Sequence, residues 1–273
     1  SAVWEYLQLA QRYYVAKDYA GVVQAIAAPQ GSEPLELLDF SRQVLRGMAL
    51  MAQQQWPQAE AHWQQLLASK PDAMQQQLLQ LALAMTLERA DKLEALFTAQ
   101  SPVTRDELRD PLLRFVAPAE LLRKLAQQPH LSGEERNTAL FTLLYKELMA
   151  GQYQAFIQDA ALVAGQPQPK APFELALFAQ GARAEEGYSC PALQESLSTL
   201  LKNPKAAKAL NCLGEFIYRQ GWDDSPLGLA PAANELAGSP TRFAAPVAGR
   251  LALYRQVIAD KQAPAEERSY ALY

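Results

Sequence analysis

The chain has 273 residues, 49% of them hydrophobic and 20% charged, which marks it as globular rather than disordered and allows one large or two ordinary domains. A formal net charge of −4 argues against non-specific nucleic-acid binding, which requires a basic face. No apolar run approaches the ~20 residues of a membrane span.

The chain starts at Ser1 rather than Met and shows no signal peptide, so a leader removed before this point is compatible with it. Tyr6, Leu9, Ala10 and Tyr13, then Tyr19, Val22 and Ile26, carry the apolar spacing of a helical hairpin, with Lys17-Asp18 as its turn. Pro29-Gln30-Gly31-Ser32 ends that unit. Pro34 opens a long helix to about Gln54. A second helix follows and is stopped by Pro71. Between Arg46 and Pro71 the small residues Gly47 and Ala59 alternate with the large Trp56 and Trp63, the pattern by which antiparallel helices interlock. Asp72 to Arg89 is a further helix, with Leu78, Leu79, Leu81, Leu83 and Met85 apolar; Ala90-Asp91 turns into Lys92 to Thr98.

Between Ala99 and Pro129 the text is irregular. Pro111 and Pro118 each stand where a helix can begin, which predicts short helices over Pro111–Ala117 and Pro118–Gln127. Ser132-Gly133-Glu134-Glu135 is a capping box for a helix to Met149. Gly151-Gln152-Tyr153 turns into another helix ending near Ala164-Gly165, and Gln166 to Lys170 is a surface linker. Pro172 to Glu186 reads as a helix with Gly181 and Ala182 at close-packing positions. Cys190-Pro191 opens the next, ending at Asn203-Pro204. Leu210, Leu213-Gly214 and Gly221-Trp222 follow as one helix, Asp223 to Thr241 as a long loop of the kind that is often functional, and Arg242–Asp260 with Pro264–Tyr273 as a last helical pair. No strand pattern is evident. Glu266 to Tyr273 is helical text without a C-cap, so the native chain is expected to continue.

The run Gly47, Trp56, Ala59, Trp63, Pro71 resembles the tetratricopeptide repeat. Weaker echoes stand at Tyr6–Ile26, where Val22 replaces the usual Ala, at Leu140–Val163 and at Leu210–Gly221. Tyr19 and Trp56 occupy equivalent positions 37 residues apart, near the family's period of about 34. The resemblance implies an all-α fold: an α-α superhelix of about six stacked, irregular helical hairpins, a TPR-like solenoid. It divides into N-terminal repeats over 1–100 and irregular repeats over 101–273, packed as one continuous array. It further implies a non-catalytic scaffold binding a peptide or protein partner in a concave groove lined by Gln11, Tyr14, Met48, Met51, Tyr145, Asn211, Glu215 and Arg219. A helical accessory domain of a larger bacterial cell-envelope enzyme is the alternative.

Chemistry-bearing motifs are sparse. His62 and His130 lack a metal-site neighbourhood and read as structural or exposed, and the nucleophile elbow, the phosphate loop and the dinucleotide fingerprint are missing. No cofactor, metal or nucleic-acid partner is expected. Acidic pairs at Glu134-Glu135, Glu185-Glu186, Asp223-Asp224 and Glu266-Glu267 read as helix ends and solvated faces. Cys190 and Cys212 are two buried thiols or a disulfide. An ideal hairpin offsets them by about 7 Å along the axis, just beyond bridging range, unless Ser189-Cys190-Pro191 is extended. A bridge implies a periplasmic or otherwise exported protein; free thiols leave a cytoplasmic location open.

Overall fold

The structure, a computed structural model, describes residues 1–167, 174–183, 187–244 and 249–273. Within them the chain is all-α in its packing, helix against helix, with one two-stranded ribbon. None of the described helices is long and apolar enough to cross a membrane. Two compact units are present, one made of Ser1–Leu112 with Pro231–Ser239, the other of Leu113–Ala230 with Pro240–Tyr273.

The first unit opens with α1 (Ala2–Tyr14) and α2 (Tyr19–Ala25) packed on α3 (Leu37–Ala52). Leu9, Val22, Ile26, Leu45 and Ala49 form their shared core, with Tyr6, Tyr13 and Tyr19 against it. The interlock read between Gly47 and Trp63 is present: a Cβ on Gly47 would fall 2.2 Å from Cη2 of Trp63. The indole belongs to α4 (Trp56–Leu67), is wholly buried, and donates Nε1–H to Thr86 Oγ1 of α5 (Ala73–Arg89) at 3.1 Å. Asp72 and Gln75 close a reciprocal capping box on α5, at 2.8 and 3.1 Å.

One turn geometry recurs. After α3 the Gln55 N–H donates to the Leu50 carbonyl, and after α5 the Lys92 N–H donates to Leu87, each across a residue with positive φ, Gln54 at 57° and Asp91 at 59°. Lys17, after α1, has φ of 51°. These three left-handed positions are spaced 37 and 37 residues apart. The same closure ends α8 (Gly133–Met149) at Gly151 and α11 (Ala207–Arg219) at Gly221, where glycine adopts positive φ without steric cost.

Several expectations are corrected. Pro111 does not start a helix: α6 runs from Asp106 to Phe115 with Pro111 inside it. Its acidic first turn, Asp106 and Glu107, and the buried Arg109 anchor it earlier; Arg109 donates to the carbonyls of Leu96 and Val103 at 2.8 and 2.9 Å. The helix expected over Pro172–Glu186 lies partly outside the described residues, and its described part is a 3-10 turn, Leu175–Ala179, followed by β1 (Gly181–Arg183). β1 pairs antiparallel with β2 (Ser189–Ala192), so strand structure exists where no pattern announced it. Gly181 serves strand pairing, since a Cβ there would meet the Pro191 carbonyl oxygen at 2.4 Å.

Cys190 therefore sits on a strand, and α10 begins only at Leu193 and runs to Lys202. An extended residue advances ~3.3 Å against 1.5 Å in a helix, so the strand recovers the missing length. Cys190 and Cys212 of α11 are disulfide-bonded, with Cα atoms 5.6 Å apart.

In the second unit α8 is enclosed by its neighbours: every residue from Asn137 to Leu148 is buried. Around it lie α7 (Ala119–Leu125), α9 (Tyr153–Ala160) and a ring cluster of Phe141, Tyr145, Phe156, Phe178, Phe216 and Trp222. α11 packs on α12 (Gly249–Ala259) through Gly214, where a Cβ would stand 2.5 Å from Tyr254. α13 (Ala265–Leu272) closes the unit; Asn211 donates to the Glu267 carbonyl and carboxylate at 2.9 Å each, and Tyr188 donates to the same carboxylate at 2.5 Å.

Candidate functional site

In the first unit an open groove of about 790 Å³ is left between the apolar stripes of two helices. α3 supplies Val44, Met48 and Met51, and α5 supplies Leu78, Leu81, Ala82 and Met85. The spacing of three and four along each helix puts each set on one face. Tyr13, Trp56 and Trp63 also line it. Leu78 and Leu81 remain 40% and 39% exposed, a large value for leucines facing a concave surface. Three methionines at the wall give it adaptable, polarizable side chains that repack around different apolar shapes.

The segment 231–239 also reaches the groove, where Ala233 and Asn234 line it. Two adjacent residues of α5 hold it. Arg89 donates to the carbonyls of Ala233 and Glu235 at 3.1 and 2.7 Å and pairs with Glu88. Glu88, whose side chain is 1% exposed, accepts the backbone N–H groups of Ala237 at 2.7 Å and Ser239 at 3.0 Å. Among the described residues that line the groove, the charged one, Arg89, is thus engaged by the strap, and the rest of the lining is predominantly apolar.

Of the residues read from the repeat pattern, Met48 and Met51 line this groove. Gln11 and Tyr14 are exposed on α1, and it is Tyr13, one position before Tyr14, that faces the groove. Tyr145 and Asn211 offer no surface: Tyr145 is buried edge-on against Trp222 at 5.1 Å, and Asn211 is consumed by Glu267. Glu215 and Arg219 line a different pocket, in the second unit. Leu78, Leu81 and Met85 were legible as helix but not as wall, because α5 is apolar on more than one face. Nothing local in the sequence marks Glu88 as the anchor of a segment about 150 residues away.

His62 is structural: it is buried, its Nε2 lies 2.7 Å from the Gln43 carbonyl oxygen, and burial keeps its pKa below the ordinary value. His130 is exposed. The second unit holds its own buried charges. Arg123 grips Asp159 with two bonds of 2.8 and 2.9 Å, and burial beside Asp159 pushes the Glu147 carboxyl well above the usual carboxylate range. Burial likewise lowers Lys146 to about 8, its ammonium 5.6 Å over the Phe243 ring. Among the described residues no group of three or more His, Cys, Asp and Glu is placed to hold a metal ion. No family model matches the chain, and comparison with curated proteins and with solved structures returns no match.

Proposed function

We propose that the chain is a non-catalytic scaffold of tetratricopeptide-like hairpins, stacked as an irregular superhelix, and that the groove of the first unit takes the apolar face of an amphipathic partner helix. The observation that carries this reading is the open apolar wall of Met48, Met51, Leu78, Leu81 and Met85, about 790 Å³ in extent. Helix-in-groove recognition uses anchors at i, i+3, i+4 and i+7, and the two stripes flanking the groove offer sockets at that spacing. Adaptable methionine walls suit partners that differ in detail. The repeat reading is supported by the left-handed turn residues spaced 37 apart and by the Gly47–Trp63 interlock. The Cys190–Cys212 bridge supports an exported, periplasmic setting, because cytosolic thiols are kept reduced.

A labelled designed peptide with Leu at helical spacing and Lys between, compared with a scrambled peptide of the same composition, tests the groove. The helical peptide should bind saturably, and Met51→Asp with Leu81→Asp should weaken it by about tenfold or more at unchanged helicity. Equal binding of the scrambled peptide, or affinity unchanged in the double variant, counts against the reading.

A further inference from the structure

In the second unit, α11, α12 and α13 line a polar pocket of about 800 Å³ walled by Glu215, Tyr218, Arg219, Arg250, Tyr254 and Tyr270. Its hydrogen-bonding capacity is lopsided. Both carboxylate oxygens of Glu215 are engaged, Oε1 by Arg219 Nε at 2.8 Å and Oε2 by the Tyr270 hydroxyl at 2.9 Å. Arg250 is held in the same manner, its Nε 3.2 Å from Asp223 Oδ2 and its guanidinium 4.0 Å from the centre of the Tyr218 ring. Both guanidiniums are held in place by these partners, Arg250 also by the Tyr254 hydroxyl, and each carries more N–H groups than those bonds use. Among the described residues both Glu215 oxygens are engaged, while the two guanidiniums, with five N–H groups each, keep donor capacity. Around them stand the tyrosine rings, with Tyr218 52% exposed.

A pocket with two oriented guanidiniums and aromatic walls recognises an oxyanion, because a planar fork matches a carboxylate or phosphate and the rings accept a flat apolar body. We propose that this pocket binds a small organic anion, a carboxylate or phosphate carried on a planar apolar group, with the oxyanion at Arg219 and Arg250 and the planar group against the tyrosines. The site is independent of the apolar groove and stands or falls separately from it. Sequence alone could not assemble it, since Arg219 and Arg250 are 31 residues apart and on different helices.

Titration calorimetry with phenylacetate, phenyl phosphate and the neutral phenylacetamide decides the matter. At least one anion should bind saturably, and whichever binds tighter identifies carboxylate or phosphate as the source. The amide should bind about tenfold more weakly or worse, and Arg219→Gln and Arg250→Gln should each weaken the anion by about tenfold at unchanged far-UV dichroism. Arg219→Lys keeps the charge on a partly exposed position but loses the fork, so it should fold normally and still lose most of the affinity. Saturation by neither anion, equal binding of the amide, or full affinity in Arg219→Lys together with Arg219→Gln would overturn the proposal.

Discussion

α4 and α8 differ in a way that explains how differently the two units read. α4 buries a single stripe, Ala59, His62, Trp63 and Leu66, and leaves the rest of its surface to water. α8 buries every position from Asn137 to Leu148, polar residues included. A helix with one buried stripe writes its packing partner into its own periodicity. A helix enclosed on all sides has no stripe, and each buried polar member costs free energy wherever a partner is missing, as at the Asn137 amide nitrogen and the Thr142 hydroxyl. The first unit rests on shape, Gly47 under Trp63; the second rests on enclosure, a covalent bridge and buried polar contacts.

The strongest way to break the comparison is Trp63→Ala. Removing a wholly buried indole that fills the space over Gly47 should destabilise the protein by about 3–5 kcal/mol in chemical denaturation. A loss below about 1 kcal/mol would mean that the interlock does not hold the first unit together. Next in size is the bridge of the second unit. Cys212→Ser should cost about 2–4 kcal/mol for a closed loop of this separation. In denaturant without reductant the unaltered protein should show no titratable thiol; two titratable thiols would remove the bridge. The smallest effect compares one turn in both units. Gln54→Gly relieves a left-handed non-glycine residue and should stabilise by up to about 1 kcal/mol, whereas Gly151→Ala should destabilise by about 1 kcal/mol. Effects of the same sign in thermal melts would show that the two turns are not equivalent.

Legibility followed the same division. The Gly47–Trp63 pair, the helix from Asp72 and the Ser132 cap, whose Oγ accepts the Glu135 N–H at 3.1 Å, were readable because each is decided within a few residues. The β1–β2 ribbon was not, because Gly181 looks the same whether it admits a helix or a strand. Cys190 was read at a helix start for that reason, and the bridge stayed one of two alternatives, open only if Ser189-Cys190-Pro191 is extended, as the ribbon makes it. The groove was half legible: Met48 and Met51 follow from the repeat pattern, while other parts of its lining depend on α5 and on a segment distant in sequence. Tyr145 and Asn211 were read as groove residues from the repeat resemblance, but local packing in the second unit buries both.

The strap on Glu88 and Arg89 also bears on how this molecule can be dissected. The chain leaves the second unit at Ala230, contributes Pro231–Ser239 to the first, and returns at Pro240. Neither unit is a single run of sequence, so no one cut yields either of them whole. A fragment stopped at residue 112 would carry the Glu88 carboxylate without the two amide groups that now donate to it, leaving a buried carboxylate with Arg89 but short of two donors. A cleavage or insertion within 231–239 would be felt by α5 and by the apolar groove that Ala233 and Asn234 help to line, although the rest of that groove lies far upstream. Fragments meant to isolate the first unit should therefore carry the strap grafted back through a linker, and those meant to isolate the second should bridge over the excised segment.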